Sequence, residues 1–389
     1  MKILFLSHAQ YITVALPKII ESAESLVSMG HEVTIVVTHK KNRFRSKSFE
    51  KNGVNYILSP SILSGKLRHG ADFYDALRRI FLIRKLKFDI IYAIDSRPSV
   101  ILPALFLQKF SKIPLILEWS DWFGKGGIIL ERSGPLYAKT LGIIESYFET
   151  AFRLKADGAT VISNKLYERL VNMGFSEDKI HIHRMGCNVE KFSNFSKQTS
   201  RQYLKIPEDE VIFSYFGRIY PADQKFLLTA FKMFKENTSL KVQVYFIGNV
   251  KHTNPPIPSY IKYHGVVSNE IFNHYLSATD ICLLPLKINL SNQSRWPSKF
   301  IDYLAVGKPI VATAVSDFKE IYDSANFGIL CEKDSEEDFA QAMLRMLDLR
   351  DKWEDFGKNG LKYVKQNLDW KVINKKLITF FNQIKFGDC

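Results

Sequence analysis

The chain has 389 residues, more than one core comfortably encloses, so two domains of ordinary size are expected. Its 46% hydrophobic and 24% charged residues are those of a soluble globular protein and exclude a disordered one. Against 40 Asp and Glu stand 54 Lys and Arg, a formal charge of +14, which favours anionic partners such as nucleotides, phosphorylated substrates, nucleic acid or an acidic membrane face.

The opening MKILFLSHAQYITVAL sets a Lys before an apolar run, yet His8, Gln10 and the lack of a small-residue cleavage pattern make it a buried strand and a loop, not a secretory leader. Helix Leu16 to Met29, strand Glu32 to Val37, a basic loop Lys40 to Lys51 and strand Asn55 to Leu58 follow. Helix Asp72 to Lys87, strand Ile90 to Ile94, helix Ser99 to Phe110 and strand Leu115 to Glu118 continue the alternation, which means a parallel sheet covered on both faces. Ligands of such sheets sit beyond the carboxyl ends of the strands, here SHAQYIT, DSRPS and EWSDWFGKGG. No stretch reaches the ~18 to 20 uncharged apolar residues that span a bilayer. Ser99 to Leu117 comes nearest and is broken by Pro103, Lys109, Lys112 and Pro114, so an integral membrane protein is not expected.

A helical stretch Leu136 to Leu154, strand Gly158 to Ile162, helix Lys165 to Asn172 and strand His181 to Arg184 complete the first half. Met185 to Asn188 and the polar run Ser193 to Arg201 then interrupt the pattern and mark a domain boundary. Alternation restarts with strand Val211 to Phe216, helix Phe226 to Glu236, strands Val242 to Ile247 and Ile261 to His264, helix Asn269 to Ala278 and strand Ile281 to Pro285. Strand Gly328 to Leu330 and helices Ser335 to Leu347 and Asp351 to Phe380 close the chain. Two α/β domains of similar size imply a cleft between them, where small ligands usually bind. Cys187, Cys282, Cys331 and Cys389 show no paired spacing, so neither a zinc site nor a disulfide framework is indicated, and a reducing compartment fits.

The stretch WPSKFIDYLAVGKPIVAT, Trp296 to Thr313, reads as a turn, a helix Lys299 to Val306, a Gly307-Lys308-Pro309 break and a buried strand Ile310 to Thr313. Free amides at the helix start, with Ser298 as cap and Lys299 beside it, form a socket for a phosphate-like anion, and Asp302 one turn on suits two adjacent hydroxyls. Together they describe the ribose diphosphate of a nucleotide; a merely capped helix is the plainer alternative. Gly217-Arg218 follows a strand and Lys225 precedes the next helix, which points both cations at phosphate, with a solvated basic loop as the competing reading.

FSYFGRIYPADQKFLLTAF, VYFIGN, IKYHGVVSNEIFNHYLSATDICLLPL and PSKFIDYLAVGKPIVAT, in this order and spacing, resemble the C-terminal domain of glycosyltransferase family 4, the group 1 glycosyltransferases of GT-B fold. The linker ISNKLYERLVNMGFSEDKIHIHRMGCNVEKF resembles it too, from about Gly158 to the C-terminus, with a weaker match over residues 1 to 135. The resemblance implies an α/β GT-B architecture of two Rossmann-like domains with parallel sheets facing across a cleft: 1–190 on the acceptor side, 200–365 binding the nucleotide sugar, and a helix within 366–389 packing back on the first domain.

By the same resemblance, Arg218 and Lys225 hold and stabilise the departing diphosphate, with Gly217, Gly248, Val266, Ser298 and Lys299 on the donor side. Asp302 falls where the family has the second Glu of an E-x7-E motif. The first Glu falls at Ser294, and no carboxylate occurs from Leu286 to Ile301, which leaves donor sugar and activity open. The acceptor side is assigned His8, Glu118, Asp121, Gly126 and Gly127, with Asp121 the first choice for the group facing the sugar. The implied reaction moves a sugar from a nucleotide-diphosphate sugar to a glycan or lipid-linked acceptor with retention, in cell-surface polysaccharide or glycoconjugate synthesis. It needs no cofactor, the nucleotide sugar being a substrate, and no metal, since no DxD-like pair is present.

Lys40, Lys41, Arg43, Arg45 and Lys47 in one loop and Arg78, Arg79, Arg84, Lys85 and Lys87 on one helix, interleaved with Phe44, Phe49, Phe81 and Phe88, make an anionic membrane surface a candidate partner. The expected location is cytoplasmic, with docking on the inner face of the plasma membrane. Nucleic acid is not expected, because no stacking module is recognisable. A GT-B nucleotide-sugar epimerase and a non-catalytic sugar-nucleotide-binding protein are the alternatives.

Overall fold

A computed structural model describes residues 1–11, 16–39, 42–63, 70–129, 139–192, 195–219, 221–249 and 257–387. Lys40, Lys41, Cys389 and the first residues of the helical stretch expected from Leu136 lie outside the described residues. The chain divides into two compact units, unit 1 comprising Met1–Gly186, Ser294–Trp296 and Trp370–Cys389, and unit 2 comprising Cys187–Gln293 and Pro297–Asp369.

Unit 1 is built on strands β1 (Lys2–Gln10), β2 (Glu32–Thr38), β3 (Lys47–Lys51), β4 (Val54–Ser59), β5 (Ile90–Ile94), β6 (Leu115–Trp119), β7 (Gly158–Val161) and β8 (Ile180–Ile182), in the order β3-β4-β2-β1-β5-β6-β7-β8. All pairings are parallel except β3 with β4, a hairpin hidden in the expected basic loop. Asn52-Gly53, both at positive φ, forms its turn, an asparagine-glycine signal the apolar pattern had masked. Helices α1 (Leu16–Ser28), α2 (Phe73–Ile83), α3 (Pro98–Ser111), α4 (Leu141–Ala151) and α5 (Asn164–Asn172) accompany the sheet. Successive residues of β1 face opposite ways: Ile3 and Phe5 join one core with Val33, Ile35 and Tyr92, whereas Leu4 and Leu6 join another with Ile91, Val100 and Leu115. Leu377, Phe380 and Phe381 of the C-terminal helix, Trp370–Phe386, belong to the first of these cores. Asn374 and Ser22 fix its register on α1 by two reciprocal hydrogen bonds of 3.0 Å.

Unit 2 runs α6 (Lys197–Leu204), β9 (Val211–Phe216), α7 (Pro221–Glu236), β10 (Val242–Ile247), β11 (Ile261–Tyr263), α8 (Asn269–Ala278), β12 (Ile281–Leu284), α9 (Leu290–Ser294), α10 (Ser298–Ala305), β13 (Ile310–Thr313), α11 (Phe318–Ala325), β14 (Gly328–Cys331), α12 (Glu336–Asp348) and α13 (Trp353–Tyr363), with the end of α9 grouped in unit 1. The sheet order is β11-β10-β9-β12-β13-β14, all parallel. The single helix expected from Asp351 to Phe380 is interrupted. A π turn, Val364–Leu368, and extended Asp369 end it, and Asp369 pairs with Cys187 within unit 2. Among the described residues no helix is long and apolar enough to cross a membrane. Each sheet reverses direction of growth once, between β1 and β5 and between β9 and β12. Those two places are where the connectivity opens a crevice at the carboxyl edge.

Candidate active site

In unit 2 the crevice is formed by glycines. β9 ends in Gly217 (φ +95°), whose amide donates to Ile247 at 2.8 Å, and β10 ends in Gly248 (φ +145°), whose amide donates to Gly265 at 2.7 Å. A Cβ on Gly248 would stand 2.1 Å from the Gly217 carbonyl oxygen, so the two turns stack backbone on backbone. The left-handed angles and the close approach both require glycine here, and they leave peptide surface bare to a ligand. Val266, beyond the turn that follows β11, is 78% exposed.

Cations gather on the first turn. Lys299 Nζ lies 4.0 Å from the centre of the Tyr215 ring, hydrogen-bonds its hydroxyl, and reaches the Arg218 carbonyl at 3.4 Å. Tyr215 Oη donates to that same carbonyl at 2.9 Å, while the Arg218 side chain is exposed. Gly217, Arg218, Gly248 and Lys299 are thus brought together. Ser298 does not cap α10 as expected: it is the first helical residue, Pro297 holds the cap position, and no side-chain cap bond forms. Asp302 follows one turn later, half-buried, and the hydroxyl of the next residue, Tyr303, accepts from Phe216 N at 3.1 Å, fastening α10 to the end of β9.

Lys225 lies within a helix and not before one. The helix begins at Pro221, four residues before it, so Lys225 is an exposed residue of the second turn; proline, which reads as loop, is tolerated at a helix start. Buried Asp223 in the first turn accepts from Lys287 N at 3.0 Å and Asn292 Nδ2 at 3.5 Å. Ile288 N donates to Asp334 at 2.9 Å. The segment after β12, which has no carboxylate of its own, is therefore held by two from elsewhere in the fold. Ser294, where the resemblance put the first Glu, is buried within unit 1, its carbonyl accepting from Ser163 Oγ at 2.7 Å.

In unit 1 the ends of β1, β5 and β6 carry the charge. β1 extends to Gln10 through a register irregularity, so His8 is a strand residue and not part of a loop. Its Nδ1 lies 3.4 Å from Asp95 Oδ2, and Arg97 Nε reaches that oxygen at 3.0 Å. Asp95 itself has φ +76°, unusual for a residue with a side chain and a place where backbone strain is held by its surroundings. Burial opposes its ionisation, but Arg97, His8, the Ser96 amide and Arg153 together hold its pKa below the usual carboxylate value. Glu118, inside β6 rather than beyond it, goes the other way: burial pushes its pKa up, the hydrogen bonds from Ser120 and Tyr92 oppose this, and the Asp95 charge adds to it. Two neighbouring carboxyls with environments pushing them apart are the arrangement in which one is base and the other acid.

Asp121 lies three residues past Glu118 on a loop fixed from below by Glu149. That buried carboxylate accepts from Trp119 Nε1 at 3.1 Å, Phe123 N at 2.9 Å, the Gly124 amide and Arg169 at 3.1 Å. Arg169 stacks over Trp122 at 3.6 Å and Arg153 over Trp119 at 3.8 Å. Gly126 (φ +84°) and Gly127 follow, a Cβ on the latter meeting the Trp122 carbonyl at 2.0 Å. Sequence reasoning singled out the DSRPS segment but not Asp95 and Arg97 within it, and it had no signal for Glu149, which reaches the loop from a distant helix.

Residues 210–349 match the family described as glycosyl transferases group 1, and residues 19–191 match Glycosyltransferase Family 4. The chain is 24% identical over 242 residues to the glycosyltransferase TuaH of Bacillus subtilis (strain 168), whose name places it in teichuronic acid biosynthesis; the match covers 58% of this chain and 57% of that one. The chain spans about half the length of the curated relatives it matches. Its fold is similar to that of sucrose-phosphate synthase from Thermosynechococcus elongatus, at TM-score 0.76 and 16% identity over 99% of both chains. It is also similar to Anabaena HepE, solved in complex with UDP at TM-score 0.71 and 13% identity and with UDP-glucose at 0.69 and 14%, each over 98% of this chain and 100% of that one. The matches to the two halves, together with two mostly parallel sheets that carry glycine turns and cations at their carboxyl edges, place the chain in the group 1 glycosyltransferases, glycosyltransferase family 4, with a GT-B fold.

Proposed function

We propose that the protein transfers a sugar from a nucleoside-diphosphate sugar to a glycan or lipid-linked acceptor, with retention and without a metal ion, in cell-surface polysaccharide or glycoconjugate synthesis. The observation that carries this reading is the Gly217-Arg218 turn, bare backbone backed by the Lys299 ammonium and stacked on Gly248. Departure of the nucleoside diphosphate builds negative charge on its β-phosphate. Arg218 offers that charge a planar fork, Lys299 and Lys225 add point charges, and fixed cations of this kind stabilise an anion without reorganising. Ser298 and Lys299 present the first amides of α10, and Asp302 supplies the acceptor pair for the ribose diol. In a retaining course the leaving phosphate oxygen takes the proton of the acceptor hydroxyl.

Unit 1 supplies the acceptor side: Asp95 and Glu118 as carboxyl groups for sugar hydroxyls, and Asp121 on its pinned loop toward the reacting sugar. HepE, solved with UDP and UDP-glucose, favours a uridine donor as the first to try. Exposed Phe73, Leu77 and Phe81, four residues apart on α2 and followed by exposed Arg84, Lys85 and Lys87, support docking of unit 1 on an anionic membrane face in the cytoplasm. Arg79 is not part of that surface, being fully buried and paired with Asp75 at 2.8 Å.

The test is release of UDP or GDP from nucleotide sugars, with membrane extract as acceptor source. Wild-type protein is expected to turn over, unaffected by EDTA, and Arg218→Ala to lose about 100-fold or more in rate. No release from any donor would hand the site to a binding role.

A further inference from the structure

A second cavity, of about 290 Å³, opens in unit 2 and includes Lys197, Ser277, Lys308 and Lys365 in its lining. Ser277 precedes β12 and Lys308 precedes β13, so this cavity lies at the amino edge of the sheet, whereas the glycine turns lie at the carboxyl edge. Nothing in the transferase reading uses it.

Its electrostatics are out of balance. Lys308 Nζ donates to the Ser277 carbonyl at 2.6 Å, a neutral acceptor. Asp280, the carboxylate nearby, is already engaged by Arg201 at 2.7 Å, by the Ile212 amide at 2.7 Å and by Lys197. Burial brings the Lys308 pKa down to about 8, with Cys282 and Asp280 opposing the shift and Lys197 and Arg201 adding to it. A half-buried ammonium hydrogen-bonded to a neutral acceptor, with two cations and one shared carboxylate beside it, leaves excess positive charge that an anion would compensate. The walls are of another character: Phe192, Phe195 and Leu361 are apolar, and Lys197 and Lys365 stand exposed at the rim. Binding sites for small organic molecules combine such apolar walls with a few placed charges.

We propose that this cavity binds a small organic anion, a phosphate or carboxylate head held by Lys308, Lys197 and Lys365 with an apolar body against Phe192, Phe195 and Leu361. The proposal goes beyond the transfer reaction and does not depend on it, because the two sheet edges carry separate sets of cations.

Phenyl phosphate is the probe, titrated by calorimetry into the full chain beside inorganic phosphate and benzyl alcohol. Phenyl phosphate is expected to bind at least about tenfold more tightly than either, since each supplies only half of the complement. Lys308→Met is expected to weaken it about tenfold or more, and Lys365→Glu, at an exposed rim position that does not endanger folding, about threefold. Leu361→Trp fills the apolar wall and is expected to block binding. Arg218→Ala, at the opposite edge, is expected to leave it unchanged. The proposal is overturned if phenyl phosphate does not bind, if it binds no better than inorganic phosphate, or if Arg218→Ala abolishes binding while Lys365→Glu and Leu361→Trp do not. The last pattern would assign the anion to the donor turn.

Discussion

Lys299 is tied to Tyr215: its ammonium lies 4.0 Å from the ring centre, hydrogen-bonds the phenolic oxygen, and the pair converges on the Arg218 carbonyl. An ammonium on helix α10 thereby sets the conformation of the turn that carries the Arg218 guanidinium. The two cations therefore have separable duties. In the proposed transfer, the exposed Arg218 would meet charge as it develops, and Lys299 would both shape the turn and meet the diphosphate.

Substitution should separate them. Lys299→Met is expected to weaken UDP affinity about tenfold to a hundredfold, the worth of a charge-assisted hydrogen bond, with a smaller change in kcat. Arg218→Ala is expected to act mostly on kcat. Calorimetric UDP binding set beside turnover checks this, and equal losses in both parameters for both variants would refute the division.

Gly248→Ala puts a methyl 2.1 Å from the Gly217 oxygen, at φ +145°, where no rotamer change can relieve it. A destabilisation of about 2 kcal/mol or more is expected, read as a lowered urea midpoint with the slope unchanged. Gly30→Ala is the comparison: its φ is +86° and its Cβ would meet nothing within 4 Å, so only the backbone cost of about 1 kcal/mol applies.

The carboxyl pair gives a signed prediction. Because the Asp95 charge helps to raise Glu118, Asp95→Asn should lower the Glu118 pKa, as followed by carbon-13 NMR of the glutamate carboxyl. Loss of Arg153 should do the opposite. In linkage, depressed Asp95 contributes stability that is lost as pH falls through its folded pKa. Raised Glu118 contributes stability that is present below its unfolded pKa and lost as pH rises through the folded one.

His181 and His183 should make the protein acid-sensitive. His181 stacks on Phe380 of the C-terminal helix, ring centres 5.3 Å apart, and burial brings the two histidines down to about 4 and about 3. With both folded values below the ordinary 6.5, the unfolded chain takes protons first, so stability is complete above pH 6.5 and erodes as the pH falls from there. The loss is on the order of 2 kcal/mol per histidine by pH 5. His183→Phe should flatten the pH dependence of the melting temperature between pH 7 and 5. An unchanged slope would count against the assignment.

Membrane docking is checked by co-sedimentation with vesicles. Retention on anionic vesicles above neutral ones is expected, falling with salt and falling several-fold when Phe81→Ser and Lys85→Glu are combined. Equal retention on both vesicle types removes the idea.

The mostly parallel α/β architecture was legible in the chain alone, because strands buried on both faces such as Ile90–Ile94 and Val211–Phe216 are almost wholly apolar and are separated by helical periods, a local signal. The sequence also pointed to Gly217, Arg218 and Lys299 as residues of interest, since turn glycines and the cations beside them stand next to strand ends. Boundaries are ambiguous where the cue is local: Pro221 reads as loop although it starts a helix, and Ser298 reads as a cap although it is the first helical residue. Which charges face each other emerged with the folded chain. The pairing of Asp95 with His8 and Arg97, the opposed shifts of Asp95 and Glu118, Glu149 beneath the 119–124 loop and the burial of Arg79 all depend on burial and on contacts between residues far apart in the chain. Desolvation and Coulomb energy depend on distance in space, which one-dimensional spacing does not contain.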